Sequence, residues 1–196
     1  QEKWAIIPSA VLGNLYKLAD SNYAANHQFF VDGSPVVGDV YGGGAWHTIL
    51  VGGLNDGGKG YYAVDVTDPT VMPPKVLWEF KQQCPATATS DCDLGLSYGK
   101  PIITKLQVGG SPKWVVMVTS GYNNLNGNGG DGAGYLYVLD ALNGTLIYKV
   151  GTEVGGLNVG SAGAPSGLGQ INNYVDNPLV DNTTLHVYGG DLLGNI

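Results

Sequence analysis

The residues able to do chemistry are few and scattered. The chain has two cysteines, Cys84 and Cys92. They flank the polar stretch Pro85-Ala86-Thr87-Ala88-Thr89-Ser90-Asp91, which lies between two apolar runs. That placement predicts an exposed loop closed by a disulfide, as an oxidising compartment allows. Two free thiols in a reducing compartment are the other reading of the same pair. A zinc site lacks a second Cys/His pair of suitable spacing, because His27, His47 and His186 stand apart. Nucleophilic catalysis lacks its motif: there is no Gly-x-Ser-x-Gly, and Ser34, Ser166 and the histidines form no recognisable set. The segment 123–131 offers Asn123, Asn124, Asn126, Asn128 and Asp131 as oxygen donors, with glycines that let carbonyls turn inward. It is the candidate cation site, and its single carboxylate implies an empty or weak one, since calcium affinity follows the number of charged ligands. The plainer reading is a Gly/Asn-rich loop on a hairpin.

The elements that would position these residues occur twice. Gly33-Ser34-Pro35-Val36-Val37 returns as Gly99-Lys100-Pro101-Ile102-Ile103, and Trp46–Val51 returns as Trp114–Thr119. Gly60-Tyr61-Tyr62-Ala63-Val64-Asp65 returns within Gly134–Asp140, and Val76–Phe80 returns as Leu146–Val150. Each unit holds four short apolar runs separated by Gly, Asn and Asp turns. Tandem four-stranded units predict β-propeller blades, complete at about 33–80 and 99–150, with partial units at both ends of a single domain over 1–196. Since a closed ring needs more blades, the chain reads as part of a larger one. The apolar runs place Val36, Ile49, Val51, Ile102, Val116 and Val138 in the core.

Composition agrees. Gly accounts for 32 of 196 residues and charged residues for 13%, which leaves little for long solvated helices. The net charge is −7, with no Lys/Arg cluster, which excludes a nucleic-acid surface. No apolar run is long enough for a transmembrane helix. A cleaved export signal would leave no trace in a mature chain.

Finer expectations follow from turn chemistry. Phe29–Val40 reads as an extended run interrupted at Gly33 and Pro35. Asn55-Asp56-Gly57-Gly58 supplies the positive φ values of a tight hairpin, and Asn143-Gly144 is a two-residue hairpin signal. The matching loop of the second unit, 122–132, is much longer. Pro8–Ala19 has apolar residues near helical spacing, with Ser9 as its cap, and predicts a short helix inserted between blades. Gly13 weakens that helix. In the third unit 166–177 takes the place of the first strand, 185–191 matches the second and third, and 192–196 enters the next.

Several strings are long enough to carry a family likeness. WAIIPSAVLGNLYKLADSNYAANHQFFVDGSPVVGDVY, WHTILVGGLNDGGKGYYAVDVTDP, GYLYVLDALNG and VYGGDLLGNI resemble the C-terminal domain of the PilY/PilC family, the tip-associated adhesin and biogenesis proteins of type IV pili. The resemblance implies an all-β, quinoprotein-like propeller that is exported to the pilus tip, cell surface or outer membrane. It implies a non-enzymatic role in pilus assembly, retraction control, twitching motility and surface adhesion. The implied partners are minor pilins and the tip complex, with a host or abiotic surface met through an N-terminal region outside this chain. Some members carry a calcium loop of the form D-x-D-x-D-x-x-x-D before the segment matching Tyr188-Gly189-Gly190-Asp191. Here that stretch is Asp176–Thr184, with Asp176 and Asp181 its only acids and Pro178 within it, so calcium is not carried over and no cofactor is expected.

Similar repeats build pyrroloquinoline-quinone dehydrogenases, which makes an oxidoreductase the chief rival, with a generic cell-envelope scaffold the third reading. A quinone enzyme needs a carboxylate base, a metal and a stacking platform, and the vicinal disulfide that serves as platform in some of them is not matched by Cys84 and Cys92. Asp65 and Asp140 recur at equivalent places and read as turn caps. Trp46 and Trp114 also recur and read as core.

Overall fold

Alternating apolar runs pair in the order in which they are written. The computed structural model describes residues 2–125 and 129–196. Strands β1 (Val36–Gly42), β2 (Ala45–Gly53), β3 (Gly60–Asp65) and β4 (Lys75–Gln82) form an antiparallel meander. The short β5 (Ser90–Asp91) adds to β4 in parallel. β6 (Ile102–Val108), β7 (Ser111–Thr119), β8 (Tyr135–Asp140) and β9 (Leu146–Gly151) repeat the meander. β10 (Glu153–Val154) and β11 (Leu157–Asn158) make a small ribbon, and β12 (Leu168–Tyr174) and β13 (His186–Asp191) a third sheet. Among the described residues the result is two four-stranded meanders, the first extended by β5, and a two-stranded sheet, stacked as propeller blades.

The blades are copies down to their irregularities. Val36 pairs with Val51 and Gly42 with Ala45, while Ile102 pairs with Met117 and Val108 with Ser111. The turns between them are Gly43-Gly44 and Gly109-Gly110, all at positive φ. A bulge falls between Ala63 and Val64 in the first blade and between Val138 and Leu139 in the second.

This register corrects one sequence alignment. The shift that carries Ala45 onto Ser111 carries Trp46 onto Pro112 and His47 onto Lys113, so Trp114 corresponds to Thr48. Nor is Trp46 core: it is 60% exposed, and only Trp114 packs partly into the interior.

The apolar faces meet between blades. Ile49, Val51, Tyr61, Phe80, Val116, Tyr137 and their neighbours form one layer between the first and second. Val115, Met117 and Val138 form another, against Ile171 and Val187 of the third. Of the expected core, Ile49, Val51, Val116 and Val138 are buried, whereas Val36 and Ile102, at the starts of their strands, are only half-buried.

Where the chain differs from expectation, local chemistry explains it. The run from Phe29 becomes a strand only at Val36, past Pro35, which has no N–H to donate. A side chain at Gly33 would meet the Gly53 carbonyl oxygen at 2.2 Å, so the chain passes hard against β2 there. In the β2–β3 connection Asn55 takes a positive φ of 49°, and Gly57 and Gly58 do not. The helix over 8–19 is split into a single turn, Ser9–Leu12, and a 3₁₀ segment, Leu15–Ala19, with Gly13 at the break. Ser9 does not cap it. Its N–H donates to Glu79 Oε1 at 2.7 Å and its hydroxyl to Glu79 Oε2, tying the turn to β4. This segment is not wedged between two blades of the structure. It seals the far face of the first one, where Val11 is fully buried with Leu54, Tyr62 and Val64.

Turns differ too. The β8–β9 turn spans Asp140–Thr145 rather than two residues, because the Asp140 carboxylate accepts from the N–H groups of Leu142 and Asn143. In the third sheet β13 is a single strand. Residues 192–195 fold back as a turn, with the Asn195 N–H donating to Asp191 Oδ1 at 2.9 Å, and do not form the next strand.

Phe80, fully buried and 5.2 Å from the Tyr137 ring, joins the first two blades. Phe80→Ala is expected to lower unfolding free energy by about 3–5 kcal/mol. Urea titration followed by tyrosine and tryptophan fluorescence measures the loss.

Candidate functional site

The strongest concentration of charge lies where the first blade hands over to the second. Cys84 and Cys92 are bonded to each other, as expected. The loop they close is held at both ends of its path. Gln83 N–H donates to the Asp91 carbonyl, and Leu146 N–H of β9 donates to the Ala88 carbonyl at 2.8 Å. The disulfide closes the loop that carries Asp91, and the Leu146 bond docks that loop on the next blade.

Lys149 of β9 reaches into that pair. Its ammonium meets Asp91 at 2.9 Å and Asp93 more closely, and it sits 4.1 Å from the centre of the Tyr135 ring. Tyr137 donates its hydroxyl to Asp91 Oδ1 at 3.1 Å. The Asp91 side chain is only 7% exposed, and these partners take the place of water around it. Burial works against the Lys149 ammonium, but the hydrogen bonds to Asp93 and Asp91 outweigh it and hold the group above its ordinary pKa. Burial, then the neighbouring carboxylates, push Tyr137 and Tyr135 well above theirs. Burial alone takes Tyr61 up to about 12, against the pull of its bonds to Thr119 and Gly99.

The loop expected to be the cation site borders this cluster. Asn126 and Asn128 lie outside the described residues. Asn123 has a positive φ of 60°. Asn124 is buried and gives its amide to the carbonyls of Asp93 and Ala133. Asp131 accepts from the Ala133 N–H and the Tyr135 hydroxyl, and its own N–H donates to Asp93. These bonds give Asp131 a role in closing the loop. Among the described residues no group of three or more His, Cys, Asp or Glu side chains is placed to hold a metal.

Asp65 and Asp140 end the third strand of each blade and do the same work. One oxygen of Asp65 accepts from Thr67 and the other meets His47 at 3.0 Å. Asp140 caps its turn with one oxygen and meets Lys113 at 3.0 Å with the other. His47 and Lys113 are register equivalents. For Asp65 burial raises the pKa, but the Thr67 and His47 contacts outweigh it and leave the group below its ordinary value. Neither carboxylate is placed as a free base, and His27 and His186 are far along the chain from both.

A second feature escaped the sequence reading. Tyr41, Trp46 and Trp114 stand edge to face in a row, with ring centres 5.5 and 5.9 Å apart. Trp46 and Trp114 border a groove of about 510 Å³ that Lys105, Pro178, Leu179, Val180 and Asn182 also line. Only the exposure of Trp46 identifies it, and sequence does not report exposure.

Comparison with known proteins places these features. The family model of the PilY1 beta-propeller domain matches residues 2–196. The type IV pilus biogenesis factor PilY1 of Pseudomonas aeruginosa strain PAO1 is 40% identical over 196 residues, covering 100% of this chain and 15% of that protein. A PilY1 homolog of Xylella fastidiosa strain Temecula1 is 35% identical over 201 residues, covering 100% of this chain and 12% of that protein. The crystal structure of the P. aeruginosa PilY1 C-terminal domain superposes with a TM-score of 0.70 at 38% identity, over 98% of this chain and 33% of that one. The chain thus spans about 15% of the length of the first of these curated relatives.

Lys149→Met should cost about 3 kcal/mol at neutral pH, because it leaves Asp91 buried without its cation. The raised pKa values of Lys149, Tyr61, Tyr135 and Tyr137 mean that the folded chain binds more protons than the unfolded one in alkali. Their contribution is complete below the ordinary values of 10.0 for tyrosine and 10.5 for lysine, and is lost as pH rises through the folded values. Stability measured by urea unfolding should therefore fall from about pH 10 upward, and less steeply in Lys149→Met.

Proposed function

The chain belongs to the PilY1 β-propeller family, and we propose from that membership that it is the propeller part of a non-enzymatic type IV pilus biogenesis protein. The observation that carries the proposal is identity of 40% over the full chain. In this reading the protein supports pilus assembly, controls retraction and so permits twitching, and contributes to surface adhesion. Its partners are minor pilins and the pilus tip complex, and its place is the tip, the cell surface or the outer membrane. All of 1–196 belongs to one propeller, in which the blades over 33–80 and 99–150 are complete.

Three physical features support it. Stacked sheets with buried apolar layers make a rigid platform, suited to presenting loops to other proteins. The bonded cysteines suit an oxidising compartment, as export requires. The carboxylates that recur in each blade are spent on turn caps and on His47 and Lys113, which argues for structure over proton transfer. No helix of the described residues is long and apolar enough to cross a membrane.

Replacing the natural gene by one lacking the codons for this propeller segment tests the proposal. Surface pili and twitching should both be lost, and both should return with the intact gene in trans. Normal piliation and motility in the deletion strain would overturn it.

For 123–131 we propose a structural loop with at most weak cation affinity, since Asp131 already accepts two hydrogen bonds. Isothermal titration with calcium should give a dissociation constant no tighter than about 10⁻⁴–10⁻³ M. Micromolar binding that disappears in Asp131→Ala would refute this.

A further inference from the structure

The groove beside the tryptophans is built from three blades. Gly38 and Asp39 come from β1, Trp46 from β2, Ile103 and Lys105 from β6, and Trp114 from β7. The third blade contributes the loop between β12 and β13, which brings Leu179, Val180 and Asn182. That loop is moored rather than trailing. Lys105 N–H and the Thr104 hydroxyl both donate to the Asn182 carbonyl, and Lys105 pairs with Asp181. The walls are therefore fixed relative to one another.

Their chemistry is mixed in a particular way. Trp46 is 60% exposed, Val180 82% and Leu179 96%. Apolar side chains gathered around one hollow offer a surface that a ligand can bury. Polar residues line the same hollow: Asp39, which accepts from the Thr48 hydroxyl, Lys105, which pairs with Asp181, and the exposed Asn182. Lys105 lies 5.8 Å from the Trp114 ring centre, which keeps donor and aromatic face side by side. A pyranose ring has the complementary surface. One face is a patch of C–H groups that rests on an aromatic ring, and its rim is a set of hydroxyls that need donors and acceptors in the same plane. The groove volume of about 510 Å³ falls in the range of small-ligand sites. Charge narrows the class further. Lys105, the cation of the lining, is already paired with Asp181, and Asp39 adds a carboxylate, so a neutral ligand is favoured over an anionic one.

We propose that this groove is a binding site for a neutral saccharide, with Trp46 as its stacking platform and Asn182, Asp39 and Lys105 as hydroxyl partners. The site gives the adhesive part of the function above a ligand class, and rests on that reading only there. Binding is read on purified protein and piliation in cells, so the two ideas fail separately.

The test is calorimetric titration of the protein at its full natural length with an N-acetylglucosamine trimer, lactose and a mannose trimer. A proline-rich peptide, the other ligand suited to aromatic grooves, is titrated in parallel. At least one saccharide should bind saturably. Affinity should fall by at least about tenfold, or about 1.4 kcal/mol, in Trp46→Ala and in Asn182→Ala. Both residues are exposed, so the fold should survive their replacement. Tyr188→Ala, on an exposed tyrosine outside the groove, should leave affinity unchanged. Failure of all three saccharides to bind, binding untouched by Trp46→Ala, or binding of the peptide alone would overturn the proposal.

Discussion

Everything in this chain depends on a sheet that is apolar on both faces. Along β7, Val116 and Val118 turn toward the first blade, while Val115 and Met117 turn toward the third. β8 does the same with Tyr137 and Leu139 on one side and Val138 on the other. Such a sheet cannot stand in water alone, and its neighbours must be sheets of similar curvature. Repetition is the simplest way for one chain to supply them. The twin bulges follow from the same demand, since each blade must twist alike to keep its side chains meshed with the next.

Close stacking leaves polar atoms at the seams, and several are given a partner from the neighbouring blade. Trp78 of the first blade donates its ring N–H to the Ala141 carbonyl of the second at 2.9 Å. Tyr61 donates its hydroxyl to the Thr119 carbonyl. The Asp91–Lys149 contact is the charged version of the same device, and it comes with a disulfide that closes the loop carrying Asp91. A buried ion pair adds little net stability over an apolar pair, but breaking it costs several kcal/mol.

The scaffold was legible in the sequence because it is written twice. Four apolar runs, their order and the residues that open each blade all appear where the repeats place them. Register was harder. Aligning Trp46 with Trp114 slips the hairpin by two residues, and a slip of two keeps every side chain on its own face. Hydrophobic pattern therefore could not reveal the error, whereas the paired Gly-Gly turns do. Ser9 was misjudged because a capping hydroxyl and one bonded to a distant carboxylate look alike in sequence. The Asn143-Gly144 turn came out longer because Asp140, three residues earlier, takes the N–H groups that a tighter turn would use. Lys149 gave no signal at all: its partners lie in a loop that belongs to neither repeat.

That last point bears on where function resides. The hydrogen-bonded framework of the strands is nearly the same in both blades, so what separates the blades are single side chains such as Trp46, which stands where the second blade has Pro112, and the connections. Those connections are the disulfide loop after β4, the long β7–β8 connection, and the loop between β12 and β13. The first two meet at the Asp91–Asp93–Lys149 cluster, on the strand ends that join one blade to the next. The third meets the tryptophan row near the ends formed by the Gly-Gly turns. The two ends of the blade stack are thereby divided. One is cross-linked and charge-locked, which suits it to holding the stack together. The other keeps a preformed hollow with apolar side chains in water, and it is there that the free energy of burial is still available to a ligand.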